Sequence, residues 1–178
     1  FVPDREMFID EHGAAEELAW AFQNNEDVLI EGPTGTGKTS LVRSVCAATN
    51  RAYRRIPCQE ATDTAALIGK PWLWNDRGVD GEEGTGQQEM IFQRGPVYDA
   101  VMLGHVLNLD EANFMHPDVA GALHSVYTCD EGMLVVMENE GEVVPRHEHF
   151  RLVATANPTT YAGTKMWNPA TRSRYGVV

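Results

Sequence analysis

The sequence predicts an α/β fold in three αβα layers, with a mostly parallel five-stranded sheet at its centre. Short apolar runs, typical of buried strands, alternate along the chain with segments whose apolar residues recur at helical spacing. A glycine-rich turn at residues 32–39 lies between one such strand and the helix that follows it. The length of 178 residues provides for one domain over 1–178, whose core needs neither a metal nor a disulfide to hold it.

The first half of the chain contains the elements around that turn. Ala15, Leu18 and Phe22 can share one helix face, because they recur at intervals of three and four residues. Pro57 ends the second strand, since proline restricts the residue before it, and Asp63 is a typical N-cap of a short helix. The predicted order is a helix over 15–22, a strand at 28–30, a helix to residue 50, a strand at 53–56 and a helix over 63–67.

The second half begins with a long segment at 69–95, rich in glycine and acidic residues, which we expect to be an insertion. Trp72 and Trp74, near its start, are expected to pack beneath it, with contact to a substrate as the alternative. Pro96 and Pro117 both suit the first turn of a helix. The predicted order is a helix over 96–103, a buried strand at 106–109, a helix over 117–127, a β-hairpin insertion within 133–149 and a strand at 150–155.

The charge balance limits the classes of partner. Acidic residues outnumber basic ones 26 to 14, so the formal charge is -12 and the pI is near 4.8. Binding of nucleic acid over a whole surface needs a basic face, so this balance disfavours such a protein but leaves a local basic groove compatible with it. The basic run Arg51, Arg54 and Arg55 is interpreted as a solvated strand edge.

Cysteine usage and hydropathy point to the cytoplasm. Cys46, Cys58 and Cys129 are too few and too scattered for a disulfide framework or a zinc site with CxxC spacing, and we expect buried reduced thiols. No stretch approaches the ~18 apolar residues that a membrane-spanning helix needs. We therefore expect a cytoplasmic protein with no membrane partner.

Residues 32–39 match the P-loop (Walker A) pattern G-x-x-x-x-G-K-[ST] in full, in the strand–turn–helix setting that the pattern requires. Glycines let backbone N–H groups surround phosphate oxygens, and the positive end of the next helix adds to this attraction. Lys38 is expected to reach the β- and γ-phosphates, and the Thr39 hydroxyl to bind Mg²⁺. The predicted binding residues for ATP are Gly32, Pro33, Thr34, Gly35, Thr36, Gly37, Lys38, Thr39 and Ser40.

A P-loop needs an acidic partner on a neighbouring strand, and Asp110 follows a short apolar run. At the carboxyl end of a parallel strand its side chain would face the crevice where the nucleotide binds. We expect Asp110 to hold Mg²⁺ together with Thr39. Glu111, alongside it, is the candidate for polarising the attacking water, because a general base needs a free carboxylate near the γ-phosphate.

With these residues placed, the chain resembles an AAA+ ATPase. Residues 152–158 look like the sensor-1 strand of that superfamily, whose terminal asparagine, here Asn157, contacts the γ-phosphate and the attacking water. Residues 142–150 look like its pre-sensor-1 hairpin, and 69–95 lie where a helix-2 insert would fall. Residues 161–170 resemble the MoxR-like group, with the closest similarity to the small ATPase subunit of aerobic cobalt chelatase (CobS-like) and to CbbQ/NorQ-type activators.

This resemblance implies a ring, expected to be a hexamer, in which an arginine of one subunit reaches the γ-phosphate bound to its neighbour. Arg174 matches that position, with Arg172 as the alternative; the family more often has Asp where this chain has Ser173. A trans-acting arginine can contribute about 10³–10⁵ in rate, so an isolated monomer is expected to be nearly inactive. The chain stops at Val178, so we expect the helical lid of an AAA+ module to lie on other sequence or to be missing.

The resemblance and the motifs together lead us to expect an ATPase that couples hydrolysis to remodelling or activation of a partner protein, of chelatase or metalloenzyme-activator type. Two alternatives stay open. One is a scaffold that assembles on nucleotide but hardly hydrolyses it, and the other is a nucleic-acid motor of restriction or phage type. A small-molecule P-loop kinase fits least, because it would have no joint use for Asp110, Glu111, Asn157 and Arg174.

Overall fold

The computed structural model describes residues 1–4, 8, 10, 13–75, 88–123, 126, 132–158 and 175–177. Its helices are α1 (Ala14–Gln23), α2 (Lys38–Ala48), α3 (Thr64–Leu67), α4 (Pro96–Leu103) and α5 (Pro117–Ala122). Its strands are β1 (Val28–Glu31), β2 (Tyr53–Pro57), β3 (Gly69–Asn75), β4 (Gln88–Arg94), β5 (Val106–Asp110), β6 (Met133–Val136), β7 (Glu142–Pro145), β8 (Arg151–Ala156) and β9 (Gly176–Val177). No helix in these ranges combines the length and the apolar character needed to cross a bilayer.

The central sheet has five strands in the order β2-β5-β8-β1-β9, and each neighbouring pair is parallel. The predicted α/β fold with a parallel sheet is therefore confirmed. Every residue of β5 and β8 is buried, as expected for parallel strands that helices cover on both faces.

Alternate residues of the strands supply two cores, one on each face of the sheet. Val28 and Val153 pack with α1 and α2, whereas Leu29 and Leu152 pack with the cluster that includes α3, α4 and the buried side of the β6–β7 pair. This alternation follows from the two-residue period of a strand and makes three layers.

Two antiparallel pairs stand apart from the central sheet. Strands β6 and β7 form a hairpin directly before β8, and β3 pairs with β4 over its whole length. The prediction that Trp72 and Trp74 pack beneath the second pair is wrong, because 51% and 45% of their surfaces are exposed. Leu73, which points to the other face of the same ribbon, is 48% exposed as well, so neither face is fully covered by the described residues.

A buried ion pair ties the end of the hairpin to the sheet. Arg146, just past β7, donates from both terminal nitrogens to the two carboxylate oxygens of Asp27, over 2.8 and 2.9 Å. Asp27 also accepts a hydrogen bond from the backbone N–H of Leu152 on β8 (2.8 Å), and Arg146 donates to the carbonyl of Val126 (3.0 Å). The pair thus joins four segments at the amino-terminal ends of the strands.

Removing this ion pair should destabilise the fold. We predict that Arg146→Gln lowers the free energy of unfolding by about 3 kcal/mol, because it leaves the buried Asp27 carboxylate without its cation. Urea unfolding followed by circular dichroism measures the change. Arg54→Gln, which removes an exposed arginine, is the control and should change the value by no more than about 0.5 kcal/mol. Equal losses in the two variants would contradict a specific role for the pair.

Candidate functional site

The loop between β1 and α2 has the shape that a phosphate cradle requires. Gly35 and Gly37 have φ values of 84° and 85°, in the left-handed region that side chains with a Cβ disfavour. A Cβ built on Gly35 would meet no atom within 4 Å, so the glycine is required there for its backbone conformation and not for lack of space. Gly37 also precedes the first residue of α2, whose amino terminus therefore faces the cleft.

This cleft has a volume of about 360 Å³ and lies at the carboxyl ends of β1, β5 and β8. It is lined by Thr34, Gly35, Gly37, Lys38, Thr39, Ser40, Asp110, Glu111 and Asn157. Residues that the sequence places on three separate elements thus meet in one cavity. The remaining loop positions predicted to bind phosphate are Gly32, Pro33 and Thr36, and the Thr36 hydroxyl closes the loop on the Pro33 carbonyl (2.9 Å).

The Lys38 ammonium group uses its three protons on oxygens of the site. It donates to the carbonyls of Gly32 and Pro33, over 2.6 and 2.8 Å, and to Oδ1 of Asn157 over 3.0 Å. Burial lowers the pKa of Lys38, and the carboxylates of Asp110 and Glu111 offset only part of this effect. Lys38 is thus held in the mouth of the loop. Burial disfavours its positive charge, and a bound phosphate would offset this cost with its negative charge.

Asp110, the last residue of β5, receives hydrogen bonds from three elements. The hydroxyls of Thr39 and Thr155 donate to its Oδ1 over 2.9 and 2.6 Å. Arg55 on β2 donates to Oδ2 from Nε over 2.8 Å, and from Nη2 as well. Burial acts to raise the pKa of Asp110, but the hydrogen bonds from Thr155, Arg55 and Thr39 together outweigh it and hold that pKa below its usual value.

Glu111 leaves the strand in a different direction from Asp110. Its φ of 56° is in the left-handed region, which is uncommon for a residue other than glycine and turns the chain out of β5. Its backbone N–H donates to the Thr155 hydroxyl over 3.0 Å. The two adjacent acids therefore have different environments: Asp110 is buried, whereas Glu111 is exposed at the cleft.

Asn157, just after β8, forms hydrogen bonds with both Lys38 and Glu111. Its Nδ2 donates to Oε1 of Glu111 over 3.1 Å, while its Oδ1 accepts from Lys38. Its backbone carbonyl accepts from Asn113 over 2.9 Å, and only 7% of its surface is exposed. One orientation of the amide satisfies both partners, because a carboxylate only accepts and an ammonium only donates.

Sequence reasoning missed two residues that hold Asp110. Arg55 does lie on the edge strand β2 with half of its side chain exposed, in line with its interpretation as part of a solvated strand edge, but that interpretation missed the pairing of its guanidinium with the carboxylate of Asp110. Arg55 lies two residues before Pro57, the register partner of Asp110, and this relation follows only from the pairing of β2 with β5. The other missed residue is Thr155, a fully buried polar side chain in β8, whose other residues except Arg151 are apolar. Arg172 and Arg174 lie outside the described residues.

The residues of the cleft fit a nucleotide with Mg²⁺. Thr39 and Asp110 place a hydroxyl and a carboxylate oxygen 2.9 Å apart, and such hard oxygen donors suit Mg²⁺. Mg²⁺ usually takes few protein ligands and completes its shell with water and phosphate oxygens. The described part of the chain contains no group of three or more His, Cys, Asp or Glu side chains able to hold a metal ion.

Comparison with known proteins identifies a family and a fold. The family model described as "AAA domain (dynein-related subfamily)" matches residues 27–175. An uncharacterized protein of Staphylococcus haemolyticus is 33% identical over 158 residues, which are 88% of this chain and 56% of the relative. One of Staphylococcus epidermidis is 32% identical over 163 residues, 92% of this chain and 58% of the relative. The chain thus spans little more than half the length of these relatives.

A solved structure shows the same fold. The crystal structure of a suggested ATPase from Cytophaga hutchinsonii superposes with a TM-score of 0.64 at 22% identity. The match covers 91% of this chain and 43% of that protein.

The Thr155 hydroxyl should stabilise both adjacent acids. We predict that Thr155→Val costs about 2–3 kcal/mol at pH 7, because it removes a hydrogen bond to a charged group and leaves the Glu111 N–H unpaired. Urea unfolding measures the loss. Thr155→Ser, which keeps the hydroxyl, is the matched control and should lose less.

The loss of unfolding free energy in Thr155→Val should depend on pH. Because the pKa of Asp110 is depressed in the folded state, its contribution is present above the unfolded pKa of ~3.9 and is lost as the pH falls through the folded pKa. The difference between wild type and Thr155→Val should therefore stay constant from pH 7 to about pH 5 and shrink at lower pH. A difference that stays constant at lower pH as well would rule out an effect through Asp110.

Proposed function

Because the chain belongs to the dynein-related subfamily of AAA domains, we propose that it binds ATP with Mg²⁺ in the P-loop cleft and hydrolyses the γ-phosphate bond. AAA domains are nucleotide-binding domains, and the residues of this cleft agree with that. The observation that carries the proposal of hydrolysis is the contact of Asn157 with both Lys38 and Glu111. These contacts bring the Lys38 ammonium, the Asn157 amide and the Glu111 carboxylate together, and in our proposal the three groups bind phosphate, sense it and activate water.

Each residue of the cleft has a distinct task in this proposal. The N–H groups of the loop and the Lys38 ammonium bind the phosphates, and a γ-phosphate would compete with Asn157 for Lys38. Thr39 and Asp110 would hold Mg²⁺, which when bound neutralises charge on the phosphate oxygens. Glu111 orients the attacking water and accepts its proton, because it is the exposed carboxylate of the pair.

We further assign the chain to the MoxR-like group of ring-forming ATPases, with Arg174 completing the site of a neighbouring subunit and a partner protein as the substrate of remodelling. Support comes from the two antiparallel pairs, since β3–β4 lies between α3 and α4, and β6–β7 directly precedes β8. An assembly of this kind uses Glu111, Asn157 and Arg174 jointly, whereas a scaffold that only binds nucleotide does not need all three. The net charge of -12 favours a protein partner over nucleic acid.

The catalytic assignment of Glu111 can be tested against a matched glutamate. We predict that Glu111→Gln lowers ATP turnover by about 10²–10⁴, as expected for loss of a general base, and retains binding of a fluorescent ADP analogue. Lys38→Ala should lose both. Glu140→Gln is the control, because Glu140 is also an exposed glutamate at positive φ, but lies at the turn before β7. Equal turnover in wild type and Glu111→Gln at high protein concentration would overturn the assignment.

The proposed sharing of a site between subunits predicts complementation. Glu111→Gln and Arg174→Ala should each be inactive alone, and an equimolar mixture should recover part of the turnover, because mixed neighbours combine an intact Glu111 with an intact Arg174. Turnover per chain should also rise with protein concentration. Arg172→Ala in place of Arg174→Ala is the control that identifies the arginine. Mixtures as inactive as their components would refute action in trans.

A further inference from the structure

Arg55 occupies the oxygen of Asp110 that the hydroxyls leave free. Thr39 and Thr155 both donate to Oδ1, whereas Nε and Nη2 of Arg55 both donate to Oδ2. A carboxylate offers about four acceptor positions, two on each oxygen. The described structure therefore fills the hydrogen-bonding capacity of Asp110, and a metal ion, or a water bound to it, must displace one of these partners.

Arg55 is the partner that can leave with least disturbance. Thr39 is fixed in the first turn of α2, and Thr155 is fully buried near the carboxyl end of β8. Arg55 sits on the edge strand β2, and 51% of its side chain is exposed. It also borders an open cleft of about 430 Å³ beside β2, lined by Phe1, Arg43, Tyr53, Arg54, Arg55 and His105, so the long side chain has room to move.

The positive charge of Arg55 determines whether it helps or hinders the binding of Mg²⁺ to Asp110. Arg55 brings a positive charge onto the carboxylate that is proposed to bind Mg²⁺, and two cations that use one carboxylate oxygen compete for it. Oδ1 already accepts from the hydroxyls of Thr39 and Thr155, so a metal ion or its water that leaves both hydroxyls in place reaches Asp110 at Oδ2. Arg55 holds that oxygen, which has no other donor among the described residues.

We propose that Arg55 is a counter-ion that competes with Mg²⁺ for Asp110, and so sets the Mg²⁺ concentration at which the site binds its nucleotide. This inference rests on the proposed function of the cleft. It makes Arg55 a positioning residue, because it acts through Asp110 and not on the substrate. In the absence of metal, the positive charge of Arg55 neutralises the buried carboxylate of Asp110. When Mg²⁺ binds, it replaces Arg55 as the counter-ion of that carboxylate.

The test is a Mg²⁺ titration of the binding of a fluorescent ADP analogue to the 178-residue chain. Arg55→Gln should reach half-saturation at an about two- to fivefold lower Mg²⁺ concentration than wild type, since partly exposed ion pairs contribute up to about 1 kcal/mol. Arg54→Gln is the matched control: it removes the same charge from the adjacent residue, which has no contact with Asp110 among the described interactions, and should leave the midpoint unchanged. An unchanged or higher midpoint in Arg55→Gln, or an equal fall in both variants, would overturn the proposal.

Two further measurements distinguish a shift of the Mg²⁺ midpoint in Arg55→Gln from a folding defect and from a failure of the proposed function. Arg55→Lys keeps the charge but cannot form the two-point contact, so its midpoint should lie between those of wild type and Arg55→Gln. Mn²⁺ binding without nucleotide, followed by electron paramagnetic resonance, tests Asp110 directly. Arg55→Gln should gain Mn²⁺ affinity, and the double variant Arg55→Gln/Asp110→Asn should not. Failure to bind the ADP analogue would refute the proposed function alone, whereas no gain in Mn²⁺ affinity would refute the competition.

Discussion

The hydrogen bonds to the Asp110 carboxylate hold the site together. A buried carboxylate is costly unless donors replace the water that it loses. Here they come from α2, β2 and β8, through Thr39, Arg55 and Thr155. The same carboxylate therefore fixes the P-loop helix against the sheet and joins the edge strand to the centre. The first turn of α2, strand β2 and strand β8 keep their mutual distances because each of them donates hydrogen bonds to this one charge.

The order of the strands makes this sharing possible. Strand β5 lies between β2 and β8, so side chains from both neighbours can reach Asp110 at its end. All the strands of the central sheet run parallel, which brings the carboxyl ends of β1, β5 and β8 to one edge, where the loop after β1 also lies. The amino-terminal edge is held by another buried charge, Asp27 paired with Arg146. The sheet is thus secured by one carboxylate at each end.

The sequence alone was enough to predict the parallel sheet, the P-loop and the acidic pair, because each depends on residues that are close along the chain. Arg55 and Thr155 could not be assigned in this way. Their role depends on which strands are neighbours, and a long arginine at a strand edge has the same pattern whether it points to solvent or to an acid. The prediction that Trp72 is buried failed for a related reason. Burial of an apolar β-ribbon requires a covering layer, and the periodicity of the sequence does not show whether such a layer exists.

The charged groups of the cleft already have hydrogen-bond partners within the protein. Lys38 is engaged by two carbonyls and Asn157, Glu111 by Asn157, and Asp110 by Arg55. Ligand binding here is therefore an exchange of partners, and its net free energy is a difference between internal and ligand contacts. Such a site binds its ligand less tightly, because internal contacts must first be broken. In return, its side chains are oriented in advance and no buried charge is left without a partner. Under the proposed function, a phosphate that bound Lys38 would release the Asn157 oxygen and, because the same amide donates to Glu111, would change the hydrogen bonding of the candidate base.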